Sequence, residues 1–211
     1  MEVRLATQAD MPGLAAVLAR AFADDPFYAY LTGTAPERNQ RMRDGWSGLL
    51  RHASARLSMT YTTDDLAGVA IWHPPGYGGA SFIGSLRLLP SVARLAGGVR
   101  RLRDVSRAVA ELERRRHHHA PTPHFYLSAL AVEPTRQRQG IGTALLEAGL
   151  ARADDRGLPA YLETATAVNV LIYERVGFEV AEELTLPGTD VHGWLMLRKP
   201  RSGSSRGPGG S

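Results

Sequence analysis

The sequence predicts a mixed α/β fold, and three observations support this prediction. Segments with helical and strand-like patterns alternate along most of the chain. The nearly continuous apolar run "PHFYLSALAV" at 123–132 is typical of a central strand covered on both faces. The segments "FEVAEELTL" and "HGWLMLRK" then predict an antiparallel pair of strands near the end. We therefore expect a mixed sheet flanked by helices.

The first part of the chain predicts a strand, two helices and a hairpin. "VRLA" at 3–6 predicts a short strand, and Asp10 is a candidate N-cap for the first helix. "ADDP" at 23–26 predicts the end of that helix, because a proline disfavours helical geometry at the preceding residue. A second helix is predicted over about 36–55. "LSMTYTT" and "LAGVAIWHP" then predict the two strands of a hairpin.

The segment at about 76–120 predicts a helical insertion, which follows the turn sequence "PPGYGGA". Its second half places four apolar residues on one stripe with arginines elsewhere: Leu102, Val105, Val109 and Leu112. A solvated arginine face on an amphipathic helix accounts for this pattern. The alternative is a lid that closes over a substrate.

The last part of the chain alternates helices and strands around a glycine-rich loop. "QRQGIGTALLEAG" at 137–149 follows the central strand and begins a helix that runs to about Arg156, with Gly157 as a left-handed cap. "PAYLETA" predicts a strand and "AVNVLIYERV" a helix. The segment 201–211 is of low complexity. We expect one domain over 1–200 and a disordered tail.

The composition is that of a globular protein. The chain has 211 residues, of which 44% are hydrophobic and 22% charged, and it contains no cysteine. Disulfides, thiolate metal sites and cysteine nucleophiles are thereby excluded. No apolar run reaches the roughly 18 residues of a membrane span, and no signal-peptide pattern is present, so we expect a cytoplasmic protein with no membrane partner. The net charge of +4 suits a nucleotide cofactor, although charge alone leaves nucleic acid open.

The glycine-rich loop has features of a phosphate site. A helix N-terminus leaves up to about four N–H groups unpaired, and Gly140 and Gly142 lack the Cβ atoms that would keep a phosphate away from them. Arg136 and Arg138 add positive charge. The alternative is a helix that begins with glycine and binds nothing.

Two of three phosphate-binding patterns are disfavoured at this loop. A P-loop needs a lysine within GxxxxGK[ST], but the only lysine is Lys199. A dinucleotide loop needs a third glycine where this chain has Leu145, although Glu163 lies about where a ribose-binding acid would be. The remaining pattern is Q-x-x-G-x-G.

That pattern, with "LSALAV" before it and "NVLIYERVGFEV" at 169–180 after it, resembles the GNAT acetyltransferase superfamily. "VRLATQADMP", "AFADDP", "PAYLETATAVNVLIYERVGFEV" and "RKP" are similar to its puromycin N-acetyltransferase-like, antibiotic-modifying members. The similarity fades at about 76–120. It implies the GNAT fold, with a mixed, mostly antiparallel central sheet, and acetyl-CoA as co-substrate without a metal. The implied reaction is acetyl transfer to a primary amine of a small molecule.

The resemblance also assigns residues to the cofactor and to proton transfer. Tyr173 is implied as the acid that protonates the leaving thiolate, since a phenol keeps its proton at neutral pH; the alternative is a core aromatic. An N–H at or near Val132 is implied as the oxyanion donor. The implied cofactor-binding residues are Leu130, Ala131, Val132, Gln137, Arg138, Gln139, Gly140, Ile141, Gly142, Thr143, Asn169 and Tyr173.

The general base is left open between two residues. Glu163 ends the strand "AYLET" and could accept a proton if burial raised its pKa, or it could be a structural acid. His124, at the start of the central strand, is the rival because histidine titrates near neutrality. Asp24 and Asp25 could bind a cationic substrate or cap a turn. Adjacent histidines in "HHHAPTPH" point in different directions, so a solvated loop is expected there rather than a metal site.

Three other functions are kept as alternatives. One is acetylation of a protein or peptide, and another is a non-catalytic acetyl-CoA sensor. A nucleic-acid-binding domain is disfavoured, because the arginines lack the interleaved aromatic residues of a single-strand binder. Dimers are common in the family, so the resemblance allows a homodimer.

Overall fold

A seven-stranded sheet forms the middle of the molecule. The structure, a computed structural model, describes residues 1–33, 37–55, 59–75, 92–93, 95–96, 99–120 and 123–201. The strands are β1 (Val3–Leu5), β2 (Met59–Thr63), β3 (Gly68–His73), β4 (Phe125–Val132), β5 (Ala160–Thr164), β6 (Glu179–Thr185) and β7 (His192–Arg198). Their order is β1-β2-β3-β4-β5-β7-β6, and only β4 and β5 are parallel neighbours. The predicted mixed, mostly antiparallel sheet is confirmed.

Six α-helices surround the sheet in the described residues. They are α1 (Met11–Ala21), α2 (Pro26–Thr32), α3 (Arg38–Ala55), α4 (Val99–His119), α5 (Ile141–Asp155) and α6 (Ala167–Glu174). The second half of the predicted insertion is α4. Its first part, at 76–91, and the tail from 202 lie outside the described residues.

Each face of the sheet has its own core. On one face, α1 to α4 pack together through residues such as Leu18, Trp46 and Val105, all fully buried. On the other face, α5 and α6 cover the sheet, and Leu145 and Trp72 are fully buried there. Because helices cover both faces, the middle strands have long apolar runs.

β4 contains a β-bulge next to the point where it diverges from β5. In the pairing of β3 with β4, Ile71 lies opposite Ala129 and Trp72 opposite Leu127, so Ser128 is the extra residue. β4 pairs with β5 only at 125–127, and its remaining residues run on without a partner on that side. Since a bulge bends its strand, the two strands diverge and leave an opening between them.

The chain between α1 and α3 differs from the sequence prediction. The proline does hold Asp25 in an extended conformation, as expected. The same residue then begins α2, which was not predicted: its carboxylate accepts hydrogen bonds from the N–H groups of Phe27 (3.0 Å) and Tyr28 (3.1 Å). Pro26 occupies the first helical position, where its missing N–H costs nothing. The helix lies beside the opening between β4 and β5.

Asp10 also has a different role from the one predicted. Its side chain does not cap α1. It accepts hydrogen bonds from the N–H (2.7 Å) and the hydroxyl (2.9 Å) of Thr7 and pairs with Arg4 at 2.8 Å. The carboxylate thereby ties the 3-10 turn before α1 to β1. Asp10 does occupy the N-cap position of α1, as predicted, but its carboxylate bonds back to Thr7, the N-cap of the preceding turn.

Candidate active site

A cleft lies where β4 and β5 diverge. It encloses about 940 Å³, counting space open to solvent. Its lining comes from β4, from the end of β5 with the neighbouring β7, and from α2, α4 and α6. Among the lining residues that the structure describes, only Asp25 and Glu163 have carboxyl groups.

The free edge of β4 presents backbone groups to this opening. The Glu133 N–H donates to the Ala67 carbonyl at 2.8 Å, so the backbone of Glu133 faces β3. In an antiparallel pair, the backbone groups of successive residues alternately face the partner strand and face away from it. Leu130 and Val132 turn their N–H and C=O groups away from β3 and toward the divergence. Ala131, also predicted to bind cofactor, turns its backbone toward β3 and buries its side chain. Leu130 and Val132 can therefore pair with amides of an extended ligand, but Ala131 cannot.

The glycine-rich loop lies at the beginning of α5 and is exposed. Arg138 (φ 61°) and Gly140 (φ 79°) both have left-handed backbone conformations, which curl the loop ahead of the helix. Arg136 holds this shape by donating to Gln139 at 3.0 Å and to Asp65 at 2.9 Å. The first hydrogen bond within α5 runs from the Ala144 N–H to the Gly140 carbonyl, at 3.0 Å. The N–H groups before it point out of the helix end, where an anion is favoured.

Residues 141–143, at the beginning of α5, expose different groups to a ligand at this helix end. Ile141 buries its side chain in the core, so only its N–H faces outward. A Cβ on Gly142 would touch only Val132, at 3.5 Å, which is an ordinary contact. The fold itself therefore does not require glycine at 142, and the missing Cβ leaves room for a ligand. Thr143 is exposed, and the Gln137 amide donates weakly to the Val132 carbonyl at 3.4 Å.

Tyr173 and Asn169 lie one turn apart on α6 and both line the cleft. The Asn169 amide donates to the Thr164 hydroxyl at 3.4 Å. Burial raises the pKa of Tyr173, and the nearby Asp25 carboxylate raises it further. The phenol therefore keeps its proton at neutral pH, as an acid must.

Glu163 lies at the end of β5, where it is partly exposed to the cleft. Burial raises its pKa from 4.5 to about 7, while Arg116 and the hydroxyls of Tyr126 and Tyr161 act in the opposite direction. The Tyr161 hydroxyl has no hydrogen-bond partner within the described residues. A carboxyl with a pKa near neutrality can exchange protons at working pH.

The other predicted polar residues lie at different distances from the cleft. His124 precedes β4 and contacts the Tyr161 ring, with 6.1 Å between ring centroids, but does not line the cleft. Asp25 lines the cleft, whereas its neighbour Asp24 is exposed outside it. The structure thus brings Glu163, Asp25 and Tyr173 to one cleft and leaves His124 and Asp24 outside.

The sequence analysis missed a histidine and a serine beside the cleft. Ser128, the bulged residue of β4, lines it and lies 2.8 Å from Nε2 of the buried His73. The His73 ring stacks on Tyr126, with 5.7 Å between centroids. No periodic pattern marks a bulge, so the sequence held no signal for this pair.

The three consecutive histidines belong to a helix, not to the expected loop. They form the last turn of α4, where a helix C-terminus favours positive charge. His119 contacts Glu182 at 2.7 Å and His117 contacts Glu113 at 3.8 Å. Within the part of the chain that the structure describes, no group of three metal-ligating side chains is present. In the same part, no helix is both long and apolar enough to cross a membrane.

Comparison with known proteins identifies the class. The model of the acetyltransferase (GNAT) family matches residues 16–178, which is most of the chain. The chain therefore belongs to the GNAT family and is an acetyl-CoA-dependent acyltransferase. The strands β2 to β5, the divergence of β4 from β5 and the glycine-rich loop all lie within the matched residues.

Individual relatives are distant. An uncharacterized N-acetyltransferase of Schizosaccharomyces pombe is 28% identical over 206 residues, which cover 92% of this chain and 82% of the relative. A structure of histone acetyltransferase HPA2 and related acetyltransferase from Corynebacterium glutamicum has a TM-score of 0.68 at 24% identity, over 96% of this chain and 97% of that one. Naa20 of Chaetomium thermophilum, in complex with a bisubstrate analogue, has a TM-score of 0.53 at 17% identity, over 95% and 86%. At these identities the structures show a shared fold.

Proposed function

We propose that this protein transfers the acetyl group of acetyl-CoA to a primary amine of a small molecule. The observation that carries the proposal is the cleft itself. It joins the free edge of β4 to a carboxyl with a pKa near neutrality, Glu163, and to a protonated phenol, Tyr173. An amine acetyltransferase needs these three elements: a binding edge for the thioester, a base and an acid.

The co-substrate fits along β4 and the beginning of α5. Leu130 and Val132 would pair with the amides of the pantetheine arm, because their polar backbone groups face the opening. The pyrophosphate would bind at Gly140 and Gly142, where N–H groups point outward and no Cβ obstructs them. Arg138 is exposed in the same loop and would add positive charge. Asn169 would hold the ligand near the thioester.

The proposed chemistry is direct attack by the amine. Glu163, in its ionised form, takes a proton from the bound ammonium, and the neutral amine then attacks the thioester carbonyl. A backbone N–H of β4, at or near Val132, stabilises the oxyanion that forms. Tyr173 donates its proton to the departing thiolate. We favour Glu163 over His124 as the base, because Glu163 lines the cleft and His124 does not.

An antibiotic acceptor is the narrower part of the proposal. It rests on the similarity of "AFADDP" and "PAYLETATAVNVLIYERVGFEV" to puromycin N-acetyltransferase-like proteins. The residues around the acceptor side come partly from α4, where that similarity fades. The similarity therefore supports antibiotic modification as an activity without specifying puromycin.

The first experiment is calorimetry with acetyl-CoA, followed by thiol release over a panel of amines and peptides. Binding of acetyl-CoA together with amine-dependent release of the CoA thiol supports an enzyme. Binding of acetyl-CoA without thiol release for any acceptor of the panel supports a sensor. Acetylation of peptides in place of amines would support the protein N-acetyltransferase alternative. Absence of binding would overturn the proposal.

The acid is tested with Tyr173→Phe, with Tyr61→Phe as the matched control. Tyr61 is a buried tyrosine of the same core that does not line the cleft. We expect Tyr173→Phe to lower kcat by roughly 10²- to 10⁴-fold, the usual contribution of general acid catalysis, with little change in acetyl-CoA affinity. Full activity of this variant would make Tyr173 a core residue.

A further inference from the structure

Apolar side chains form much of the cleft lining outside β4. Six of them, from four parts of the chain, are Phe22, Phe27, Val109, Leu112, Leu186 and Trp194. We call this set the acceptor wall. The Phe22 ring packs against two other aromatic rings. It stacks on Trp46, with 5.3 Å between ring centroids, and contacts Tyr28, with 4.9 Å between ring centroids. The wall is thus a fixed apolar surface.

Asp25 lies beside this wall with a fixed orientation. Its carboxylate accepts the N–H groups of Phe27 and Tyr28, at 3.0 and 3.1 Å, so its position is set by the beginning of α2. Burial raises the pKa of Asp25, and these backbone hydrogen bonds together with one from the Thr166 hydroxyl lower it. Asp25 and Tyr173 both line the cleft, and the Asp25 carboxylate raises the pKa of Tyr173.

Among the residues that the structure describes, Asp25 also lacks a cationic partner. Four other aspartates, Asp10, Asp65, Asp104 and Asp154, each pair with an arginine. No ion pair to Asp25 occurs among the residues that the structure describes. A carboxylate that is partly withdrawn from water is stabilised by an opposite charge, so a cationic ligand would remove part of its desolvation cost.

We propose that the acetyl acceptor is an apolar monoamine, bound as its ammonium ion against Asp25 with its aliphatic or aromatic body on the acceptor wall. This inference rests on the proposed function and names its substrate class. Glu163 then faces the ammonium as the proton acceptor, and Asp25 remains the anchor. The proton goes to Glu163 before the nitrogen attacks the thioester.

The charges of the cleft distinguish this acceptor from two other classes. A polyamine would place its second cation on the acceptor wall, where no carboxylate lies among the lining residues. A peptide would bring several amide groups against the same apolar surface, and each would lose hydrogen bonds to water. An apolar monoamine has one charge for Asp25 and buries only carbon against the wall.

The anchor is tested with Asp25→Asn, and Asp24→Asn is its matched control. Asparagine keeps the cap of α2, so the helix should persist while the charge is lost. We expect the KM for 2-phenylethylamine to rise roughly 10- to 100-fold, the range for a lost charged hydrogen bond, with kcat little changed. Asp24→Asn should match the wild type, because Asp24 is exposed outside the cleft.

The wall is tested with a series of linear amines from propylamine to hexylamine. We expect kcat/KM to rise about three- to fourfold with each added methylene, as burial of a CH₂ group predicts. Leu112→Ala should flatten this dependence, whereas Leu102→Ala should leave it intact. Both leucines are partly buried on α4 against the same core, but only Leu112 lines the cleft.

The results separate this inference from the proposed function. If acetyl-CoA does not bind, the proposed function itself fails. If acetyl transfer occurs but 1,4-diaminobutane or a peptide with an N-terminal alanine is the better acceptor, only the inference is overturned. It is also overturned if Asp25→Asn lowers kcat at unchanged KM, since Asp25 would then act on Tyr173 rather than on the acceptor.

Discussion

The Arg116 guanidinium lies over the ring of Tyr126, with its central carbon 4.8 Å from the ring centroid, beside Glu163. Arg116 is buried, although it belongs to a helix whose other arginines are largely exposed, and it pairs with Glu113. Burial of Glu163 favours its protonated form, while the positive charge of Arg116 favours the ionised form. These are the two largest effects on the Glu163 pKa of about 7.

Replacing Arg116 by methionine should move this balance. Without the positive charge, the pKa of Glu163 rises, so the midpoint of the pH–rate curve should move upward by roughly one pH unit. Arg116→Lys keeps the charge and should leave the midpoint close to the wild-type value. The control is Arg115→Met, since Arg115 pairs with Glu111 and Glu182 instead. Equal midpoints for Arg116→Met and Arg115→Met would contradict the coupling.

The pH dependence of the wild type follows from the same group. A base must be ionised to accept a proton, and Glu163 is ionised only above its pKa of about 7. We expect kcat/KM to increase between pH 6 and 8 and Glu163→Gln to abolish most of that increase. His124→Ala should keep the wild-type profile, because His124 does not line the cleft. The opposite pattern would make His124 the base.

Glu163 should also make stability depend on pH. Its pKa is higher in the folded chain (about 7) than its ordinary value of 4.5, so folding favours the protonated form. The stability contributed by this protonation is fully present below about pH 4.5 and is lost as the pH rises through 7. Glutamine cannot ionise and avoids the loss.

Urea denaturation of Glu163→Gln at pH 5 and pH 8.5 measures this effect. At each pH, the free energy of unfolding of the wild type is subtracted from that of the variant. This difference should be about 1–3 kcal/mol larger at pH 8.5 than at pH 5. The control is Glu133→Gln, since Glu133 pairs with Arg20 outside the cleft. If the free energies of unfolding of the variant and the wild type differ by the same amount at both pH values, burial does not disfavour the ionised form of Glu163.

The sheet and the shape of the glycine-rich loop were predictable because they depend on local patterns. The hairpin of β2 and β3, the central strand β4 and Gly157 as a left-handed cap were all predicted and are confirmed. Their signals are alternation of apolar residues and the positions of glycine and proline, which act over a few neighbours. Folding the rest of the chain does not change them.

The acceptor side was less predictable because it depends on contacts between distant segments. Ser128 and His73 meet only because a bulge shifts the register of β4, and nothing local announces that bulge. Arg116 is different. It continues the spacing of Val105, Val109 and Leu112, so it falls on the buried stripe rather than on the predicted solvated face. Extending the stripe by one more turn would have identified it.

Gly142 provides a test of the cofactor loop that leaves the fold intact. A Cβ there would touch Val132 at an ordinary 3.5 Å, and alanine favours a helix by about 1 kcal/mol over glycine, so Gly142→Ala should be as stable as the wild type or more so. The added methyl group would occupy the space in front of the helix N–H groups. We therefore expect weaker binding of acetyl-CoA, by roughly tenfold or more, which calorimetry would measure.

Gly157→Ala, at the other end of α5, should behave in the opposite way. Gly157 has φ 62°, and a Cβ there would meet no atom within 4 Å, so the substitution strains the backbone without approaching the loop. Its stability should fall by about 1 kcal/mol while its affinity for acetyl-CoA stays unchanged. Weaker binding in both variants would attribute the effect to α5 as a whole. A loss confined to Gly142→Ala would instead place the phosphates at the helix end, since only that variant fills the space in front of its N–H groups.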